Sequence, residues 1–357
     1  MAEHARFSPS SFHRLMRCGG SHELAARYPD DDSPASREGT AAHWVAQRLL
    51  QDGEVIQVDT SAPNGETVTM EMVEGAQVYA DHVRSITTHP IVEQPVSCSS
   101  VHADCWGTPD ARATAGDDLH LWDYKFGHLY VDEFENWQLL AYVSDLVEAV
   151  SGQIHMHIVQ PRAYGTKAVR TWTIDRAGIG LYVERLRQRI VAIDRGELGC
   201  TVSEQCHYCP ARRGCRALET FAQIAMDFAG QRVALDLPPS AAAIELRMIE
   251  ALTARMQDRA DGLREQLTAE LKRGERVPGY ELAPSYGREG WSVDHAQVVA
   301  LGEAFGVDLA APVKAISPAQ ARKVFPVIPM LDAMTGRSSS LKLQQTDTKN
   351  IRRVFGG

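Results

Sequence analysis

The chain has 357 residues, of which 37 are Lys or Arg and 46 are Asp or Glu, giving a formal charge of -9. With 44% hydrophobic and 23% charged residues it can bury a sizeable core as one large domain or two of ordinary size, which excludes wholesale disorder, collagen-like and coiled-coil-only architectures. No apolar run approaches the roughly 18 residues of a membrane span, and the polar start MAEHARFSPSS lacks the apolar core of a signal peptide. A soluble cytoplasmic protein with no membrane partner is expected, and its net acidity leaves room only for a local basic groove as a nucleic-acid surface.

In chain order, Ser8 reads as an N-cap and Pro9 as the first residue of a short helix with Phe12, Leu15 and Met16 on its apolar side, ending just before Cys18. A second helix is expected from Ser21 to about Tyr28, stopped by Pro29, and a third from about Arg37 to Asp52, terminated by Gly53 and carrying His43. From about Ile91 to Ile174 the pattern changes to short strands interrupted by one helix over about Glu133 to Glu148, the order of a mixed α/β core. The strand QIHMHIVQP alternates Ile154, Met156 and Ile158 against His155, His157 and Val159, with Val169 to Ile174 as its hairpin partner and a helix following near Leu181 to Ile193. Pro238-Pro239-Ser240 then opens a long amphipathic helix running to Gly274. The last 80 or so residues are punctuated by Gly, Pro and Ser and end in a basic stretch with Arg337, Lys342, Lys349, Arg352 and Arg353.

The segment GTPDARATAGDDLHLWDYKFG reads as a β-hairpin turning at Gly116-Asp117. Centring the turn there makes paired positions sum to 233, so Asp110 lies across from Asp123 and two carboxylates stand about 5 Å apart. Alternation puts Asp123 and Lys125 on one face and turns Trp122, Tyr124 and Phe126 to the other. Like charges this close call for a cation, and hard oxygen ligands favour Mg²⁺ or Mn²⁺, a combination suited to phosphodiester hydrolysis. An ordinary ion pair between Asp110 and Lys125 is the alternative at this point. Gln138 and Tyr142 share a face of the helix that follows.

The cysteines are Cys18, Cys98, Cys105, Cys200, Cys206, Cys209 and Cys215, an odd set with three members inside ten residues, which favours metal ligation over disulfides. Arg212, Arg213 and Arg216 interleave with the last of them, either gripping a sugar-phosphate backbone or simply solvated. Trp44, Trp106 and Trp137 adjoin the candidate site residues, where stacking on single-stranded bases competes with core packing.

Taken in order, Gly39-x3-His43, Gly107-x2-Asp110, Asp123-x-Lys125 and Gln138-x3-Tyr142 resemble the RecB-like branch of the PD-(D/E)xK nuclease superfamily over roughly residues 8 to 220. The resemblance implies an α/β restriction-endonuclease-like core, a central mixed sheet flanked by helices, with His43, Asp110, Asp123 and the Tyr124 backbone carbonyl as metal ligands. It also implies Lys125 beside the attacking water, Gln138 and Tyr142 positioning phosphate or the lysine, and an acidic residue at the place of Glu93. Cys18 with Cys206, Cys209 and Cys215 resembles the iron-sulfur staple of AddB-type and CRISPR-associated RecB-like nucleases, which implies a [4Fe-4S] cluster. The same ligands would also satisfy Zn²⁺. Cys200 is a substitute ligand, and Cys98 and Cys105 read as small core residues.

The expected layout is thus a nuclease domain over 1-220, a long helix or linker over 221-275, and a small region over 276-357, the C-terminal part being mostly helical. The layout, with VPGYEL and a distal Trp291, also resembles an uncharacterised family common in phages and prophages, which implies recombination, repair or phage replication as the setting. The expected activity is a Mg²⁺- or Mn²⁺-dependent deoxyribonuclease, an exonuclease on single-stranded DNA or DNA with free ends, partnered by a single-strand-binding or annealing protein or a helicase. The alternative is a DNA-binding or assembly module that keeps fold and cluster without cutting.

Overall fold

The computed structural model describes residues 5-28, 33-163, 166-229, 238-286, 290-291, 293, 295-310, 321, 334-336 and 339-345. Pro29 and the basic-tail residues Arg337, Lys349, Arg352 and Arg353 lie outside the described residues. The chain divides into two units, Met1–Arg259 and Ala260–Gly357.

The first unit opens with a 3-10 turn over Pro9–Ser11, then helices α1 (Phe12–Arg17) and α2 (Ser21–Ala25), with Cys18 as the C-cap between them. Helix α2 stops earlier than Tyr28, the chain continuing through turns. Helix α3 (Pro34–Asp52) begins a turn sooner than expected because Ser33 caps it, its side chain accepting from Ser36 N, with Pro34 at the first position. Gly53 ends it in the left-handed conformation, φ +69°. Helix α4 (Met70–Ile86), capped by Thr69, was not picked out from the sequence, although Met72, Ala76, Tyr79, Ala80 and Val83 recur at helical spacing.

Strands β1 (Ile91–Val92), β2 (Val96–Ser97), β3 (Trp106–Gly107), β4 (Ala111–Ala115) and β5 (Asp118–Tyr124) follow. Next come α5 (Trp137–Val143), β6 (Ile154–Val159), β7 (Val169–Ile174) and α6 (Arg176–Asp194). The central sheet has the order β1-β4-β5-β6-β7 and is mixed: β5 and β6 run parallel and the other neighbours antiparallel. The β4-β5 register pairs Ala111 with Trp122 and Ala115 with Asp118, the expected sum of 233. Helix α5 is shorter than the expected Glu133 to Glu148: Glu135 sits at φ +50°, outside helical geometry, and the buried Asn136 caps the helix by accepting from Leu139 N.

Alternation along the strands gives each sheet face its own core. Leu119, Leu121, Ile154, Met156 and Ile158 pack with Leu139, Leu140 and Val143 of α5 and Leu186 and Ile190 of α6. Trp122, Tyr124, Ala111 and Val159 pack with Val45 and Leu49 of α3 and Met72 and Tyr79 of α4. The sheet is therefore flanked by helices on both faces. Cys98 and Cys105 belong to the first core, as expected of small buried residues.

After α6, two 3-10 turns over Glu204–Tyr208 and Pro210–Gly214 carry the late cysteines, followed by α7 (Arg216–Ala229) and α8 (Pro239–Lys272). In the second unit, the described residues include β8 (Tyr280–Tyr286), β9 (Gly290–Trp291), α9 (His295–Ala304), β10 (Thr335–Gly336) and β11 (Ser339–Gln345). Strand β8 pairs antiparallel with β11, Leu282 opposite Leu343, so this region carries strands beside its helices rather than being mostly helical. Sequence separation hid this pairing, since the two strands lie far apart in the chain. Among the described residues, no helix is long and apolar enough to cross a membrane.

Candidate functional site

Asp110 ends the approach to β4, where the hairpin register sets it beside the end of β5. Its Oδ2 accepts from Tyr124 N at 2.6 Å and its Oδ1 lies 3.0 Å from His43 Nδ1, a ring carried in by α3. Glu93, just after β1, donates its backbone N–H to the Asp110 carbonyl at 3.2 Å. It does so at φ +49°, a left-handed backbone unusual for Glu and of the kind that gathers at functional sites. One ligand atom from each of His43, Glu93 and Asp110 lies within 4.8 Å of the others, so the acidic residue just past the preceding strand is part of the constellation.

Asp123 and Lys125 form the adjoining half. Lys125 Nζ is 3.0 Å from Asp123 Oδ2 and donates to Gln138 Oε1 at 3.2 Å. Gln138 Nε2 donates to Asp123 Oδ1 at 3.2 Å and approaches Tyr142 Oη at 3.5 Å, while Tyr142 donates to the Thr108 carbonyl at 3.3 Å. Asp123 is thus turned toward the lysine, and its Oδ2 receives no hydrogen bond besides this ion-pair contact. Lys125 pairs with Asp123, so the alternative pair with Asp110 is not the one formed.

The electrostatics follow from burial. Burial and the Asp110 charge raise the Glu93 carboxyl to about 7. Burial also pushes Asp123 upward, Lys125 opposing and Asp110 adding to it, with a net rise. Burial would push Asp110 up too, but the charge and hydrogen bond of His43 outweigh it and hold Asp110 below the usual range. Burial opposes charge on Lys125, yet the two aspartates keep its ammonium favoured and its pKa raised. Two carboxylates converging on one point, with a third close by, cannot all ionise cheaply without added positive charge.

Two glycines of the motif series differ in what surrounds them. A Cβ on Gly107 would meet Tyr142 Cε1 at 2.9 Å and Pro9 Cδ at 3.1 Å, so that glycine lets the tyrosine close over the hairpin. A Cβ on Gly39 would meet nothing within 4 Å among the described residues, so packing gives no reason for it.

Lys125 and Gln138 open into a cleft of about 590 Å³ whose walls include His13, Arg14, Tyr130 and Tyr208. The wall bearing Tyr130 is fixed from behind. Fully buried Gln160 donates to the Gly127 and Leu129 carbonyls and accepts from Val131 N, and Arg170 reaches the Val131 carbonyl, Gln160 Oε1 and Glu133. Tyr130 and Tyr208, both exposed, are aromatic cleft residues that sequence spacing did not reveal, because they come from loops distant in the chain. Of the tryptophans, Trp44 packs on the second core, Trp137 packs against Tyr182, and Trp106 is more than a third exposed.

Cys18, Cys200, Cys206, Cys209 and Cys215 line a second, apolar cavity between α1 and the late 3-10 turns, with Arg14 on its wall. Thr201 N donates to Cys18 Sγ at 3.2 Å and Ser203 N to Cys206 Sγ at 3.4 Å. Burial raises the Cys200 thiol to about 12, the neighbouring Cys18 and Cys215 adding to the rise. Among the described residues, no three of these sulfurs lie within 4.8 Å of one another, so they are not drawn together around a single point. Arg212 donates to the His207 carbonyl within the cysteine loop, whereas Arg213 lies 4.8 Å from the Tyr28 ring centroid, in the segment after α2. Arg216 lies beside a separate shallow surface hollow with Thr201 and Phe221.

The family model described as "Protein of unknown function (DUF2800)" matches residues 4-326, and the chain belongs to that family. A solved structure described as "Crystal structure of SSO0001" is similar over 61% of this chain and 89% of its own length, at 10% identity and a TM-score of 0.33.

Proposed function

Because the family's description names no activity, the chemistry has to come from the side chains, and from them we propose that this chain is a divalent-metal-dependent deoxyribonuclease with a restriction-endonuclease-like core of the RecB-like kind. One observation carries the reading: the His43, Glu93 and Asp110 donors converge beside the Asp123, Lys125 and Gln138 network, whose Lys125 and Gln138 open into an aromatic, basic cleft. The donor set of His43, Glu93 and Asp110 fits a Mg²⁺ or Mn²⁺ ion, two of its three ligands being carboxylates, and the buried Asp123 Oδ2 next to it is held by Lys125 alone. Such an ion would supply Lewis-acid polarisation of a phosphoryl oxygen and a water of lowered pKa.

The remaining steps belong to the chain. Lys125 keeps its proton because Asp123 and Asp110 favour the ammonium, so it neutralises charge growing on the phosphate and orients the attacking water. Gln138 clamps the lysine to Asp123, and Tyr142 holds Gln138 from the far side. His43 braces Asp110 through Nδ1. Tyr130 and Tyr208 offer ring faces on which unpaired bases stack, and Arg14 and His13 line the same cleft, which favours single strands or frayed ends as substrate.

The cysteine cavity is read as the seat of a [4Fe-4S] cluster that ties Cys18 near the chain start to Cys206, Cys209 and Cys215. The backbone N–H donors to Cys18 and Cys206 suit thiolate sulfur, the form in which cysteine holds either a cluster or Zn²⁺. Cys200, on the same cavity wall, is the reserve ligand.

The test is cleavage of end-labelled single- and double-stranded DNA with Mg²⁺ or Mn²⁺, beside EDTA and Asp123→Ala controls, on anaerobically purified protein. Metal-dependent cutting lost in the variant is expected. Equal activity in wild type and Asp123→Ala overturns the reading, and binding without cutting turns it into the assembly module. A visible absorption band with iron and sulfide in the preparation supports the cluster, whereas a colourless zinc protein overturns it.

A further inference from the structure

At the opposite end of β5 from Asp123 lies a group of polar residues that the proposed nuclease chemistry does not use. The parallel β5-β6 register sets His120 against His155 and Trp122 against His157, so alternation stacks these rings on the sheet face covered by α3 and α4. The His120 and His155 rings are 4.5 Å apart and nearly parallel, and His120 and His157 are 5.4 Å apart. Asp118, two residues before His120 and on the same face, brings Oδ2 to 3.4 Å from His155 Nε2. One ligand atom each of Asp118, His120 and His155 lies within 4.8 Å of the other two.

We propose that Asp118, His120 and His155 form a second metal site, for a borderline divalent transition ion of the Zn²⁺ type. Two imidazoles and one carboxylate are a nitrogen-rich donor set, in contrast to the oxygen-rich set at Asp110, and so select a different class of ion. What surrounds them supports ligation. Thr173 Oγ1 holds His155 Nδ1 at 2.9 Å, and His157 Nε2 holds His120 Nδ1 at 3.1 Å. His157 is itself held by Thr171 Oγ1 at 2.8 Å, with His82 Nε2 at 3.5 Å. With both Nδ1 atoms engaged, the Nε2 atoms are left as ligands, the arrangement in which outer partners fix tautomer and ring angle. Asp118 Oδ1 accepts from Gln153 N at 2.6 Å, which leaves Oδ2 to face the histidines. The site is partly open, the Asp118 side chain being 40% and His155 22% exposed, so an ion can enter from solvent and a fourth position stays available to water. Five residues of strand separate Asp118 from Asp123, about 17 Å, so the two sites bind independently.

The experiment is equilibrium dialysis of the full chain against Zn²⁺ with metal counted per chain, alongside thermal melting with and without Zn²⁺. It compares wild type with Asp118→Asn, His155→Gln and, as the control at the other site, Asp110→Asn. Asp118→Asn keeps the Oδ1 acceptor for Gln153 and removes the charged ligand, so it tests binding without unbuilding the turn. The site predicts that Asp118→Asn and His155→Gln weaken one class of Zn²⁺ binding by at least about tenfold and lose the Zn²⁺-dependent rise in Tm that wild type and Asp110→Asn retain. Unchanged stoichiometry and affinity in a folded Asp118→Asn overturns the proposal, and leaves the Asp118–His155 contact as a plain ion pair.

Discussion

The two ends of strand β5 handle buried polar groups in opposite ways. At the carboxyl end, Asp123, Lys125 and Gln138 neutralise and hydrogen-bond one another across a helix and a strand, and carboxylates outnumber the cations. At the amino end Asp118 is ionised but the buried rings beside it carry no charge. Burial pushes His157 to about 2 and His120 to about 4, so both rings stay neutral at ordinary pH and serve as donors and acceptors instead. The same pleated strand thus presents an oxygen-rich, charged constellation at one end and a nitrogen-rich one with a single carboxylate at the other, because its odd residues face α5 and its even residues face α4. What differs is which side chains the register brings together, and the fold tolerates both.

The largest expected effect breaks this pair of ends apart. Lys125→Ala should lower DNA cleavage by about 10³-fold or more while leaving Zn²⁺ binding at Asp118 unchanged; Asp118→Asn should do the reverse. End-labelled cleavage and metal dialysis on the same preparations measure both, and loss of both functions in either variant would mean that the ends are not independent. Next in size is Gln160→Ala, which strips the Gly127 and Leu129 carbonyls and Val131 N of their partner and leaves buried Arg170 short of one acceptor. A cost of about 3 kcal/mol is expected by denaturant unfolding, together with a higher KM for DNA and a smaller change in kcat, since the Tyr130 wall loosens while Lys125 stays in place.

A smaller effect is expected on the helix-covered face. A Cβ on Gly75 of α4 would come within 2.6 Å of Tyr124 Oη, and the tyrosine is wholly buried against Tyr79. Gly75→Ala should therefore cost about 2 kcal/mol by overpacking and disturb the Asp110 end through Tyr124, whose N–H holds that carboxylate. Gly39→Ala, inside α3 with open space around it, should raise stability by about 1 kcal/mol through helix propensity, and any loss of cleavage there would report on substrate approach.

Local rules carried the carboxyl end into view. A turn at Gly116-Asp117 fixes the register that faces Asp110 toward Asp123, and one helical turn joins Gln138 to Tyr142; both relations need only sequence spacing. The histidine end was present across β5 and β6, with His155 and His157 written in QIHMHIVQP, yet that alternation points to a half-polar face and says nothing of Asp118 or His82 until β5 is laid parallel to β6. Non-local pairing likewise hid the β8-β11 pair and the Tyr130 and Tyr208 walls of the cleft. Helix α4 was legible and missed: Thr69 followed by Met72, Ala76, Tyr79 and Val83 is a cap and an apolar stripe, and its position opposite Trp122 and Tyr124 is what buries the face bearing the histidines.

The smallest effect concerns a carboxylate outside both ends. Asp145, just beyond α5, accepts from Ser97 Oγ, Ser99 N and Oγ, and Ser100 N, at 2.7 to 2.8 Å, tying the loop after β2 to the end of the helix that carries Gln138 and Tyr142. Burial would raise its carboxyl, but the serine donors outweigh burial and hold it well below the usual carboxylate range. A carboxyl whose folded pKa is depressed stabilises the fold at pH values above its unfolded pKa, here about 3.8, and that contribution fades as pH falls through the folded value. Asp145→Asn should cost about 1 kcal/mol at neutral pH, discounted for the partial exposure of the site. Its stability should converge on that of the wild type in acid, from about pH 4 downward. Urea unfolding of both proteins at neutral pH and near pH 3 measures the convergence. Parallel stability curves would mean that the serines hold the side chain by shape rather than by its charge, and that the helix end is fixed by packing of Val143 and Val147 alone.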